Sequence, residues 1–147
     1  MHVSGKHVMH WIGLDIGGAN LKAADCDGVA LTRSFPVWKE PERLTTVLGE
    51  ILSEFPQYDA VAVTITAELA DCFETKATGV DAVLRSVERA AAGKLIFVWQ
   101  TGAEFVTATV AREIPLLVAA ANWHALATWT GRMVPAGASL LFDVGST

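Results

Sequence analysis

The octapeptide Asp15-Ile16-Gly17-Gly18-Ala19-Asn20-Leu21-Lys22 carries the sharpest local signal in this 147-residue chain. Ile12, Leu14 and Ile16 alternate with Gly13 and Asp15, which predicts a strand ending at the Gly17-Gly18 pair. Glycines permit positive φ and let a backbone approach a ligand with no Cβ in the way. Successive N–H groups in such a turn make an anion-binding nest. The Asp15 carboxylate would repel a phosphate directly, so the chemistry requires a metal ion or an attacking water between the two. Asn20 adds a neutral donor and Lys22 a cation. An ordinary Gly-Gly hairpin turn shares this local pattern, and Lys22 also fits a solvated hairpin lysine. The same grammar returns at Asp143-Val144-Gly145-Ser146-Thr147: apolar strand, Asp, apolar residue, Gly, hydroxyl. Two such loops predict a two-sided clamp. Asp15 and Asp143 hold one metal, and Gly17, Gly18, Gly145, Ser146 and Thr147 hold phosphates.

Around the first loop the pattern is one of strands and helices in turn. Leu21 to Cys26 returns antiparallel, Asp27-Gly28 is a two-residue hairpin signal, and Val29 to Trp38 makes a third strand. Pro41 suits the first turn of a helix whose stripe is Leu44, Val47, Leu48, Ile51, Leu52 and Phe55, with Pro56 ending it. Ala60 to Thr66 reads as a buried strand. Thr78 and Asp81 read as a helix start, Val80, Val83, Leu84 and Val87 as its stripe, and Gly93 as its close. Lys94 to Gln100 reads as a strand, Leu116 to Trp129 as a largely buried helix, and Ser139 to Val144 as a last strand. An antiparallel meander followed by parallel strands and crossover helices is the order of a ribonuclease-H-like half domain. The fold class is therefore α/β, a mixed sheet with helices on both faces.

Composition narrows the function. A hydrophobic content of 52% and a mean hydropathy of +0.37 exclude a disordered chain. A net charge of -5 and a pI near 5.3 speak against nucleic acid or an anionic membrane as partner. The start, Met1 to His10, has no apolar core of a signal peptide. The apolar stretch from Ile114 to Trp129 is interrupted by Asn122 and His124 and is too short to span a bilayer. Cys26 and Cys72 form no CxxC and have no histidine at ligand spacing. The expectation is neither a structural zinc site nor a disulfide framework, and a reducing, cytoplasmic setting.

Other candidates lie between the loops. Glu68 and Asp71 follow the fourth strand at the carboxyl edge where open α/β sheets bind ligands, and either could serve as general base. Asp71 also fits a loop or helix-start cap. Lys76, Cys72, Asn122 and His124 are the candidate pocket residues. Lys76 fits equally a solvated loop lysine. Cys72 lacks a neighbouring activator and reads as a packed residue, not a nucleophile. Asn122 and His124 interrupt an apolar helix and need partners if buried. His124 also fits a satisfied core histidine. Trp123 and Trp129 read as core rather than as a stacking platform, and His2, His7 and His10 as scattered residues that need no metal.

Gly13 to Lys22 and Leu141 to Thr147 resemble the first and second phosphate loops of the actin-like ATPase superfamily. The segments from Glu68 to Val80 and from Ala120 to Ala127 resemble, more specifically, the hydantoinase/oxoprolinase-related proteins of the tetrahydromethanopterin-linked one-carbon pathway. Archaeal members are methanofuran-biosynthesis synthases that join an aminomethylfuran diphosphate to γ-glutamyltyramine and release diphosphate. The resemblance runs from His10 to Thr147. It implies a transferase using Mg²⁺ or another divalent cation, with small-molecule diphosphate and phenolic amine substrates. It also implies that residues 1–147 form the N-terminal domain and end inside the second phosphate loop, with a further half completing the cleft and this piece inactive alone. An ATP-dependent oxoprolinase-like or kinase-like enzyme is the alternative, in which ATP becomes the cofactor. A non-enzymatic actin-like module is the third reading.

Overall fold

The structure, a computed structural model, describes residues 8–55 and 57–142. One six-stranded sheet organises it: β1 (Trp11–Ile16), β2 (Asn20–Asp25), β3 (Ala30–Ser34), β4 (Ala60–Ile65), β5 (Leu95–Gln100) and β6 (Glu104–Thr107), in the spatial order β3-β2-β1-β4-β5-β6. The meander β1-β2-β3 is antiparallel. β4 joins β1 in parallel, β5 joins β4 in parallel, and β6 turns back antiparallel on β5. This is the mixed sheet expected for the ribonuclease-H-like half of an actin-like fold.

Strand alternation divides the sheet into two unlike faces. Ile12, Leu14 and Ile16 of β1 and Val61, Val63 and Ile65 of β4 point to one face and are all buried. They meet the apolar stripes of α1 (Leu44–Ser53), through Leu48 and Ile51, and α2 (Lys76–Ala90), through Val83 and Leu84. Each such side chain contributes about 1.5–3 kcal/mol by leaving water, and together they form the core. α1 begins behind a 3₁₀ turn at Pro41–Arg43, where proline sits at the first position as expected.

α2 starts earlier than Thr78 and Asp81 suggest. Thr75 is its N-cap, accepting from the Thr78 N–H while the Thr78 hydroxyl accepts from the Thr75 N–H. The motif is a capping box with threonine in the place usually held by Glu or Gln. Asp81 lies inside the helix and is ion-paired to Arg85 and Arg112. α2 then packs hard on the 3₁₀ turn Ala67–Leu69 after β4. A Cβ on Gly79 would lie 2.8 Å from the Glu68 carbonyl oxygen, so only glycine allows this approach.

Three expectations fail in the C-terminal third. Residues 104–107 form the extra strand β6, followed by α3 (Ala108–Glu113). The Gln100 side chain builds the turn that allows it, accepting from the Gly102 N–H and donating to Glu104. The single buried helix expected from Leu116 to Trp129 is two helices, α4 (Pro115–Val118) and α5 (Asn122–Met133), broken where Ala120 takes φ +49. α5 has no buried residue; Trp123 and Trp129 are 58% and 59% exposed, not core. It lies on the second face of the sheet against β4 and β5, so helices do occupy both faces. Finally, residues 139–142 make no strand, and Leu140 and Phe142 stand in solvent. An apolar segment becomes a strand only where a neighbouring backbone receives it, and among the described residues no strand pairs with 139–142. Asp143 to Thr147, the second loop, lie outside the described residues, as does Pro56.

Candidate functional site

The site begins where β1 ends. Asp15 is the penultimate residue of β1, and the sheet register sets Lys22 of β2 on one side of it and Thr64 of β4 on the other. All three side chains rise from the second face. The Thr64 hydroxyl donates to Asp15 Oδ1 at 3.0 Å, and Lys22 Nζ donates to Oδ2 at 3.2 Å. Asp15 is partly exposed, at 28% of its side chain. Lys22 therefore serves first as the counter-ion of Asp15. Thr64 has its signal in the alternation of β4, which places it opposite the buried Val63 and Ile65.

The loop itself is tightly tied. Gly17 N–H donates to the Asn20 carbonyl, Gly18 and Ala19 carbonyls accept from Val37 and Phe35, and Thr66 N–H donates to the Ile16 carbonyl. Neither Gly17 nor Gly18 has positive φ. Glycine is required at 17 for space instead: a Cβ there would lie 2.8 Å from the Asn20 carbonyl oxygen. At Gly18 the same position is open, with no atom within 4 Å. The Gly17 N–H is thus taken within the turn, and Gly18 leaves its own side of the backbone open.

Next to this loop the second face forms a groove of about 770 Å³. Its floor is Gly13, Ala24 and Ala62, its wall Phe105, Leu126 and Trp129, and Asp15, Lys22 and Thr64 line its polar part.

The residues after β4 divide. Glu68 is buried, at 2% exposure. Its Oε1 accepts the Ala120 N–H at 2.8 Å, and its Oε2 has no hydrogen-bond partner among the described residues. Burial pushes its carboxyl above the usual range, against smaller opposing effects of N–H donors and Lys76. Glu68 so ties the turn after β4 to the left-handed turn before α5. Asp71 is exposed. Cys72, read as packed, is exposed, and its Sγ reaches the Val37 carbonyl at 3.8 Å. Burial first, and the Asp71 charge after it, raise its thiol. Lys76 opens α2 in solvent.

His124 finds the partner it needs. Trp99 of β5 donates its indole N–H to His124 Nδ1 at 3.2 Å, so this nitrogen is the unprotonated one. The pair is half-buried between α5 and the sheet, where sequence reasoning placed a core helix. Asn122 accepts the Trp123 N–H at the start of α5. The structure brings Asp15, Lys22 and Thr64 together beside Gly17, and ties Glu68 to the entry of α5. Gly145, Ser146, Thr147 and Asp143 are outside the described residues.

The donor set at Asp15 fits a hard cation. Carboxylate and hydroxyl oxygens suit Mg²⁺, although such an ion would compete with the Lys22 ammonium. No helix among the described residues is long and apolar enough to cross a membrane.

A family model described as Hydantoinase/oxoprolinase matches residues 59–147. A Methanocaldococcus jannaschii protein named (4-{4-[2-(gamma-L-glutamylamino)ethyl]phenoxymethyl}furan-2-yl)methanamine synthase is 34% identical over 139 residues, covering 92% of this chain and 41% of that protein. The chain thus spans less than half the length of this relative. Among solved structures, "T. thermophilus RuvC in complex with Holliday junction substrate" aligns with a TM-score of 0.37 and 20% identity over 63% of this chain and 64% of that one, too low a likeness to bear on the fold or the site.

Proposed function

The chain belongs to the hydantoinase/oxoprolinase family, and from that premise we propose that it supplies the first phosphate loop of a transferase that forms a furfuryl aryl ether. The observation that carries this reading is the 34% identity, over 92% of the chain, to a synthase whose named product contains a phenoxymethylfuran. Such an ether joins a phenol oxygen to a furan-bound methylene carbon. The proposed substrates are an aminomethylfuran diphosphate and γ-glutamyltyramine. The phenol oxygen bonds to the methylene carbon, the bond from that carbon to the diphosphate oxygen breaks, and the phenol proton passes to a base. The furan ring oxygen supports positive charge at the carbon, so the main task of the protein is to neutralise the leaving diphosphate.

The residues take roles accordingly. Backbone at Gly17 and Gly18, with Asn20, binds one side of the diphosphate, and Gly145, Ser146 and Thr147 bind the other. Lys22 leaves Asp15 for a phosphate oxygen when the substrate arrives. A divalent cation, Mg²⁺ in the first place, would be held by Asp15 and Asp143 and would supply charge neutralisation. A phenol has an unperturbed pKa of about 10, so a base assists. Asp71, exposed after β4, is free to reach a substrate. Glu68, sealed under α2, would need the 119–121 turn to open before it could accept the proton. Cys72, Lys76, Asn122 and His124 would border the acceptor. The reaction involves small molecules, neither nucleic acid nor membrane, and a cytoplasmic setting.

The test uses the full-length gene product with Mg²⁺, following phosphorus by ³¹P NMR. Diphosphate release that needs both the furan diphosphate and γ-glutamyltyramine, and that Asp15→Asn lowers by about 10²-fold or more, is the expected outcome. Turnover of ATP with the furan left intact would replace this reading by the ATP-dependent branch that the family name also covers.

A further inference from the structure

We propose that His10, Cys26 and Asp27 form a binding site for a borderline-soft divalent cation of the zinc type. Nothing in the spacing of the sequence joins these residues, because 16 positions separate His10 from Cys26. The sheet joins them. Ile12 of β1 faces Asp25, the last residue of β2, so His10 before β1 comes beside the turn after β2 that carries Cys26 and Asp27. One imidazole nitrogen, the Cys26 sulfur and one Asp27 carboxylate oxygen lie within 4.8 Å of one another.

Both backbones that present these groups are anchored. His10 N–H donates to Asp59 Oδ2 at 2.8 Å, and its carbonyl accepts from the N–H groups of Asp59 and Ala60. Across from it, Asp25 Oδ1 accepts the N–H groups of Asp27 and Val29 at 3.0 and 2.8 Å, and Asp25 N–H closes the turn on the Val29 carbonyl. The three Cα positions are therefore preorganised, while the exposed side chains keep their rotamer freedom. Bond lengths to zinc of about 2.0–2.3 Å set tetrahedral donors roughly 3.3–3.8 Å apart. Rotation about χ1 and χ2 covers the remaining difference.

The chemistry of the donors selects the ion. Thiolate and imidazole favour Zn²⁺ and its neighbours over Mg²⁺ or Ca²⁺, which ask for oxygen alone. Three protein ligands leave a fourth position for water. Cys26 is a free, exposed thiol, and the ion enters without opening the core. The cluster sits before the first residue of β1, whereas Asp15 sits near its end, roughly 15–20 Å away at the rise of a strand. The ion would clamp the entry of β1 to the β2–β3 turn, independently of the phosphate loop.

Cobalt reports such a site directly. Co²⁺ is titrated into the full chain under a non-thiol reductant, and the absorbance is read. A thiolate-to-cobalt charge-transfer band saturating at one equivalent and displaced by Zn²⁺ is expected. Cys26→Ser removes the band, and His10→Ala and Asp27→Asn weaken binding by about tenfold or more. Cys72→Ser and the double variant His2→Ala, His7→Ala keep it. Zn²⁺ raises the Tm of the parent chain and not that of Cys26→Ser, whose circular dichroism shows it folded. No band, a band that survives Cys26→Ser, or one that needs Cys72, His2 or His7 overturns the proposal.

Discussion

The two faces of the sheet are made by the same strands and have opposite characters. On the face under α1 and α2, β1 and β4 place Ile12, Leu14, Ile16, Val61, Val63 and Ile65, all buried at 3% exposure or less. On the other face the same strands place Gly13, Asp15, Ala62 and Thr64, and β2 adds Lys22 and Ala24. The first face is filled by side chains meeting side chains and is the source of stability. The second lacks the volume to fill itself, and α5 crosses it on the β4–β5 side, leaving a groove with Trp129 and Phe105 along it. A period of two residues puts the packed core on one face and the groove beside Asp15 on the other.

Substitutions test this division most strongly on the filled face. Leu48→Ala, at full burial in α1, should cost about 2–5 kcal/mol through lost transfer energy and the cavity left behind, read as a fall in the urea midpoint at constant slope. A loss under about 1 kcal/mol would mean that this face is less tightly packed than the structure has it. Gly79→Ala follows. The new methyl meets Glu68 backbone at 2.8 Å, and overpacking of this kind should cost about 1–3 kcal/mol by the same measurement.

Glu68 gives the comparison a pH dependence, because among the described residues it is the one buried carboxylate. Burial raises its carboxyl above 4.5, so between 4.5 and the raised value the folded chain holds a proton that the unfolded chain has released. Stability should fall as pH rises through that window and change no further from this group above it. Glu68→Gln, which cannot ionise, should lack this decline; parallel pH profiles of the two proteins in urea melts would remove the burial argument. The smallest effect belongs to the groove. Ala24→Leu, on exposed strand surface, should leave stability within about 0.5 kcal/mol. A loss near that of Leu48→Ala would show the second face to be packed after all.

What could be read in the chain was what is local. β1 through β5, α1 and the end of β1 at Gly17 followed from alternation, helical stripe and turn residues, with boundaries shifted by a few residues. The reading failed where a distant partner decides. β6 is reached through a turn that the Gln100 side chain closes on Gly102, and residues 139–142 pair with no strand among the described residues. The break at Ala120 depends on Glu68, 52 residues earlier, taking its N–H. Exposure of α5 was equally illegible: Trp123, Leu126 and Trp129 give the same apolar count whether a helix is buried or half open.

The order of the elements from β1 to β5, the acidic glycine loop at Asp15 and the family resemblance belong to the sequence alone, since each rests on residues a few positions apart. The tertiary structure alone decided that Lys22 and Thr64 hold Asp15, that Trp99 satisfies His124, and that His10 meets Cys26 and Asp27. The contacts of Asp15 are set by strand register, which a chain acquires only when a shared core makes one pairing better than its neighbours; the others are set by where α5 and the turn after β2 lie against the sheet.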